Sequence, residues 1–329
     1  MTPALTPRHR GPPTMRVVMT GGGDFIGCHL LARMVGAGMS VTLIGADTGE
    51  SRYTATLVNA GEVRFVRSDA RLTATEAVGA LAEADALVVP SCVGLASPSA
   101  EEPDMGTIDR AVVSLARLVG VFADRGKHIV LASSDSVYGA PARTPVRESD
   151  TTGPRTGFGL LHVASEQTVR VSSEVGATAS ILRYAALYGP GESASRPIPN
   201  LIRAALTGHG PLLEADGLDE ERDYIHIADA VDATMAALRQ RADGVYNIAT
   251  GIGTTKAELA NLIVWLTDCS EAPVRSGGGG VMSRTSLVLD TSRARSDLSF
   301  EPRRTLPEGL KEEVGWFKAM FRSDLKSAA

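Results

Sequence analysis

A glycine-rich turn, Thr20–Gly27 (TGGGDFIG), is the part of this chain best equipped for chemistry. It follows a short apolar run and opens a stretch whose apolar residues recur at helical spacing. Such a turn presents bare backbone N–H groups and the positive end of a helix, and the two together bind a pyrophosphate. Gly21, Gly23, Phe25, Ile26 and Gly27 would line that site. The usual spacing is TGxxGxxG, and the middle glycine is Asp24 here. A carboxylate about 5 Å from a phosphate costs on the order of 3 kcal/mol at an effective dielectric near ~20, and less when solvated. Asp24 also reads as an N-cap for the helix it opens. Both roles are compatible, so dinucleotide binding is expected to survive and to weaken.

A carboxylate at the end of the second strand normally holds the ribose hydroxyls of NAD. That place, 24 residues after Gly21, is Gly45. With no acid there a 2′-phosphate is tolerated, and Arg52 lies a few residues on to meet it. NADP(H) is therefore favoured; NAD(H) is the alternative, and Asp47 is the main argument for it. Asp69, after the third strand, either reaches the adenine or is a solvated loop acid.

The elements that hold this turn read as a βαβ unit. Arg16–Thr20 predicts a strand, Phe25 to Val35 a helix, and Val41–Ile44 a second strand. Val63–Val66, Ala86–Pro90, His128–Ala132 and Ala179–Arg183 continue as strands, with helices over Ala74–Ala82, Thr107–Phe122 and Phe158–Ser173. Near-continuous apolar strands alternating with helices imply an α/β fold, a doubly wound parallel sheet covered on both faces. After Gly189-Pro190-Gly191 the alternation weakens and glycine clusters such as Gly277–Gly280 appear. Residues 1–14 read as a disordered tail and 15–190 as a Rossmann dinucleotide-binding domain. Residues 191–329 read as a smaller substrate domain partly interleaved with it.

Composition narrows the functions. A net charge of −5 offers no excess positive field to attract phosphates, which argues against a nucleic-acid partner. Cys28, Cys92 and Cys269 lie far apart with no CxxC pairing, so they read as free thiols in a reducing compartment and no metal site is expected. No apolar run reaches the roughly 18 residues a membrane helix needs. The N-terminal tail lacks the apolar stretch of a signal peptide, so a cytoplasmic protein is expected.

Six motifs now carry a resemblance. They are TGGGDFIG, SSDSVYG (Ser133–Gly139), LRYAALYGPG (Leu182–Gly191), RDYIHIADA (Arg222–Ala230), GVYNIATG (Gly244–Gly251) and LDTSRARSDLSFEP (Leu289–Pro302). In this order they resemble the extended short-chain dehydrogenase/reductases, the NAD-dependent epimerase/dehydratase family. The resemblance implies a seven-stranded Rossmann sheet with a small C-terminal substrate domain, and a homodimer through two Rossmann helices as one option. It also implies that a serine, a tyrosine and a lysine carry the chemistry. Ser134, four residues before Tyr138, matches the serine that polarises the carbonyl. The helix that should read YxxxK has Phe158 at the tyrosine and His162 at the lysine. None of the six tyrosines has a lysine four residues later, so the pair is absent from the chain.

In a ketone reduction the family's tyrosine protonates the developing alkoxide, and its lysine lowers that tyrosine's pKa and binds the nicotinamide ribose. A positioned acid is worth about 10²–10⁴ in rate. Few residues here could replace it. Ser134 is a poor acid. His162 either bonds the ribose, protonates near neutrality, or is a helix-face histidine without catalytic duty. Asp135 stands where the family's sugar-nucleotide dehydratases carry an acid, or simply forms the turn. Tyr138 and Tyr188 more often pack or close hydrogen bonds in this family, and Tyr138 is also placed among the substrate contacts with Ser134, Asp135, Ala186 and Arg222. Arg222 is kept where sugar-nucleotide enzymes hold the distal phosphate, and Ala186 replaces their usual asparagine. The degenerate motif set resembles the atypical ketoreductases of aromatic-polyketide antibiotic biosynthesis. It implies an NAD(P)H-dependent ketoreductase acting on a polycyclic aromatic ketone, angucyclinone-like, with the substrate's phenol supplying the proton. The alternatives are a nucleotide-binding regulator or scaffold without turnover, a sugar-nucleotide epimerase or dehydratase, and a non-redox cyclase.

Overall fold

The computed structural model describes residues 15–45, 51–68, 75–92, 102–124, 126–214, 218, 220–276 and 286–327. Asp47, Asp69 and the glycine cluster 277–280 fall outside these residues, as does the Arg52 side chain.

The first half of the chain alternates strand and helix as its apolar runs require: β1 (Arg16–Thr20), α1 (Phe25–Gly36), β2 (Ser40–Gly45), α2 (Arg52–Asn59), β3 (Arg64–Arg67), α3 (Thr75–Glu83), β4 (Ala86–Val89), α4 (Met105–Phe122) and β5 (His128–Ser134). A 3₁₀ turn, Asp135–Tyr138, follows β5, and α5 (Gly157–Arg170) and β6 (Thr178–Tyr184) complete this half. The predicted helix through residue 173 stops three residues early. A 3₁₀ turn over Val171–Val175 intervenes, and Gly176 at φ +91° redirects the chain into β6.

Later elements are β7 (Ala186–Tyr188), α6 (Pro197–Leu206), β8 (Leu212–Glu214), β9 (Glu221–His226), α7 (Ile227–Gln240) and β10 (Gly244–Ile248). They are followed by β11 (Gly253–Thr255), α8 (Lys256–Thr267), β12 (Val274–Ser276), α9 (Ser292–Leu298) and α10 (Leu306–Ser327). The large sheet has seven parallel strands in the order β10-β6-β5-β4-β1-β2-β3. β10 thus returns from the C-terminal half to extend the Rossmann sheet beside β6. A three-stranded sheet, β11-β9-β7, stands at its end, and β8 pairs β12 separately.

Strand order reverses between β1 and β4, and in open α/β sheets ligands bind outside the carboxyl ends of the strands at such a point. The sheet is held there by apolar layers on both faces. Met19, Leu30, Leu31, Leu182 and Ile227 fill one, and Val18, Leu87, Leu115, Leu131 and Leu161 the other. A third cluster, with Tyr188, Ile202, Ile263, Leu310 and Phe317, forms the core of the C-terminal lobe. No described helix is long and apolar enough to cross a membrane.

Candidate active site

The turn after β1 keeps the geometry a pyrophosphate needs. Gly21 sits at φ +65°, a left-handed conformation that favours glycine. Gly27 presses α1 onto it: a Cβ there would lie 2.0 Å from the Gly21 carbonyl oxygen. Asp24 caps α1, its Oδ1 accepting from the Gly27 N–H at 2.6 Å. The other oxygen, Oδ2, is buried without a hydrogen-bond partner. Burial pushes the Asp24 carboxyl up to about 7, against the pull of the Gly27 N–H and, more weakly, of the Ser91 side chain.

A dinucleotide therefore fits this loop on one condition. The backbone cradle is present, but the Asp24 carboxyl already occupies the start of α1, where the phosphate charge would gather. At the end of β2, Gly45 offers no side chain to the ribose. The Phe25 ring packs edge-on against His29 at 5.5 Å, and His29 Nε2 donates to the Pro190 carbonyl at 3.0 Å. That bond ties the loop after β7 to the first helix. Burial lowers the His29 pKa, outweighing the Pro190 bond, so the ring is neutral at physiological pH. Its place one turn beyond Phe25 on the helix was the only clue the sequence held.

Ser134 ends β5 beside this crevice. Its Oγ accepts from the Ser136 N–H at 3.1 Å and donates to Asp135 Oδ1 at 3.0 Å. Desolvation pushes the Asp135 carboxyl up to about 6 despite the Arg222 charge and the Ser134 hydroxyl, with Asp223 adding to the rise. Ser134 and Asp135 thus form a hydroxyl–carboxyl couple facing the site.

Helix α5 brings Phe158 and His162 to one face, one turn apart. Thr156 Oγ1 and Glu102 Oε1 accept from the helix's first free N–H groups, those of Gly159 and Phe158, at 3.0 and 3.3 Å. Phe158 brings no proton. His162 brings no charge, because burial lowers it to about 4, more than the Glu166 carboxylate can offset, and its Nδ1 is buried without a partner. The structure thereby removes the option that His162 protonates near neutrality. One turn further, Glu166 faces Arg183 in a two-pronged ion pair, Oε1–Nε 2.8 Å and Oε2–Nη2 2.7 Å. Ser133 Oγ donates to the same carboxylate at 2.6 Å.

Tyr138 belongs to this network rather than to the substrate site. Its hydroxyl accepts from Arg183 Nη1 at 2.9 Å and donates to Asn247 Oδ1 at 2.7 Å, and the residue is only 2% exposed. Its placement as a substrate contact is therefore corrected: the phenol is fully engaged inside the protein.

β7 pairs with β9, which sets Ala186 directly across from Tyr224. On β9, the Arg222 side chain makes no salt bridge or hydrogen bond among the described residues, and its charge is felt at Asp135 and Tyr224. The neighbouring Asp223 has a structural task, accepting from Thr250 Oγ1 at 2.6 Å and the Gly251 N–H at 2.8 Å. Two buried carboxyls also meet in the C-terminal half. Glu192, in the loop after β7, and Glu313, on α10, are 4% and 0% exposed and adjoin one another. Nothing local in the sequence marks them as neighbours.

Residues 17–249 match the NAD dependent epimerase/dehydratase family. The chain belongs to that family. Among its relatives, a UDP-glucose 4-epimerase of Mycolicibacterium smegmatis is 28% identical, the match spanning 92% of this chain and 99% of the relative. A dTDP-6-deoxy-L-talose 4-dehydrogenase (NAD(P)(+)) of Kitasatospora kifunensis is also 28% identical, over 94% of this chain and 96% of its own. Among solved structures, MoeE5 in complex with UDP-glucuronic acid and NAD superposes with a TM-score of 0.75 at 25% identity, over 93% of this chain and 99% of that one. The family is described as NAD dependent, and MoeE5 was solved with NAD bound.

Proposed function

We propose that this chain is an NAD(P)H-dependent carbonyl reductase acting in one direction on a hydroxylated aromatic ketone. The observation that carries the reading is the state of α5. Position 158 holds no acid and His162 is neutral, while Ser134 and the glycine cradle remain. The nucleotide supplies the hydride when bound. Ser134, held by the Ser136 N–H, turns its hydroxyl from Asp135 to the carbonyl oxygen and polarises it. No side chain at 158 can then protonate that oxygen. A phenol beside the carbonyl does so, leaving a phenolate stabilised by the ring, and no protein acid is consumed.

The same observation weighs against reversible sugar oxidation, which needs a base at the tyrosine position. A second reading retains a specific support: Arg222, whose side chain has no ion-pair partner among the described residues and whose charge is felt at Asp135, suits the distal phosphate of a sugar nucleotide, the substrate class named for the relatives.

Loss of the near-ultraviolet absorbance of NADH and NADPH, followed across a panel of hydroxyquinone ketones, tests the first reading, with UDP-glucose and a 4-keto sugar nucleotide as the competing substrates. The expected result is consumption with the hydroxylated ketones alone. Phe158→Tyr should leave that rate within about threefold of wild type, because the proton does not travel through position 158. Turnover of the sugar nucleotides, or a rise of about 10² in Phe158→Tyr, would reject it.

A further inference from the structure

Asp24 is not only a cap. Its carboxyl lies in a hollow formed by the backbone of Gly21 and Gly27: Oδ2 is 3.1 Å from where a Cβ on Gly21 would stand, and Oδ1 is 2.4 Å from the same position on Gly27. One oxygen takes the Gly27 N–H, and the other is buried with no hydrogen-bond partner. The carboxyl is thus an internal anion at the end of a twelve-residue helix, in the place the fold reserves for a ligand's anion.

We propose that Asp24 couples dinucleotide binding to proton uptake: the pyrophosphate enters the start of α1 only with the neutral, protonated form of this side chain. The proposal rests on the dinucleotide reading of the loop and adds a condition to it. Two like charges in one desolvated hollow repel, whereas a protonated carboxyl can donate its own hydrogen to a phosphate oxygen. Among the described residues no cation lies against the carboxyl to relieve the repulsion. On α1, Cys28 is a thiol that burial and the Asp24 charge hold protonated, and His29 is neutral and turned to Pro190. From the chain after β4, Pro90 and Ser91 face the turn; from α2, Thr54 donates to the Gly22 carbonyl at 2.6 Å, and Tyr53 interacts with Cys28. No described residue forms a salt bridge with Asp24. Burial already places the carboxyl near half-protonation at neutral pH, so physiological changes in acidity would fall on the steep part of the curve.

The test is calorimetric titration of the full chain with NAD⁺ and with ADP-ribose, whose pyrophosphates stay ionised throughout, between about pH 5.5 and 8.5 and in two buffers of different ionisation enthalpy. Wild-type Kd should rise about tenfold per pH unit on the alkaline side, with about one proton taken up per ligand bound at the alkaline end. Asp24→Asn should bind with a pH-independent Kd and no proton uptake. Asp24→Ser, which keeps a capping oxygen without the charge, should do the same and guards against a simple loss of the cap. A flat wild-type profile with tight binding, or a slope that persists in both variants, would overturn the coupling while leaving the dinucleotide site intact. Absence of binding in wild type and in Asp24→Gly at every pH would overturn the dinucleotide reading itself, and the coupling with it.

Discussion

Replacing Arg183 by methionine should lower stability by about 3–5 kcal/mol near neutral pH, because it leaves a charged Glu166 buried without its partner. The two side chains are only 3% and 1% exposed, so water cannot take over the lost bonds. Tyr138 would lose one of its two hydrogen bonds in the same step. Urea denaturation followed by circular dichroism measures the loss, which corresponds to a fall in Tm on the order of 10 °C. The companion double variant, Arg183→Met with Glu166→Leu, should recover much of it, since an apolar pair of similar volume removes the buried charge. If the single variant melts with wild type, the ion pair does not anchor α5 to β6. The test matters for function because this network fixes the helix that carries Phe158 and His162.

Glu313→Gln should act in the opposite direction, and only at higher pH. Burial, reinforced by the nearby Glu192 carboxyl, pushes Glu313 up to about 9 in the folded protein. In the unfolded chain it titrates near its ordinary value of 4.5. The folded state thus holds a proton that the unfolded state has released. The stability contribution is complete below the unfolded value and is lost progressively as pH rises toward the folded one. Wild type should weaken from about pH 5 to 9, by as much as ~1.4 kcal/mol per pH unit from this group. Glutamine removes that slope and can still donate to Glu192. At pH near 8 the variant should be more stable by a few kcal/mol, and at pH near 4.5 about equal. Denaturation curves at both values decide it; identical pH dependences in wild type and variant would show that Glu313 is solvated or paired.

The large sheet was legible because parallel strands buried on both faces read as unbroken apolar runs, and six of its seven strands were placed within two residues at either end. β10 was not placed, although its GVYNI run stood out as a motif, because a strand returning from the second half of the chain gives no local sign of its neighbour. α2 was missed for a different reason: its Thr-rich, half-exposed sequence has little apolar periodicity, and a Ser51 cap alone is a weak signal. In the site, Ser134, Asp135, Phe158 and His162 were named from the motifs they occupy. Whether His162 carries a charge depends on desolvation, which sequence does not show. Tyr138 was placed among the substrate contacts from the motif it ends, yet the 3₁₀ turn swings it inward to Arg183 and Asn247. Glu192 and Glu313 meet only because α10 packs back over the loop after β7.

The origin of the proton is the step that distinguishes this mechanism from one with a protein acid. The direct test compares two ketones that differ only in whether the phenol beside the carbonyl is free or methylated, using the wild-type protein with saturating NADPH or NADH and following dinucleotide oxidation. With the free phenol, oxidation should be faster by at least about 10², the value of a positioned acid, and that ratio should be unchanged in Phe158→Tyr. Equal rates for the two ketones would contradict the account and return the proton to a group on the protein.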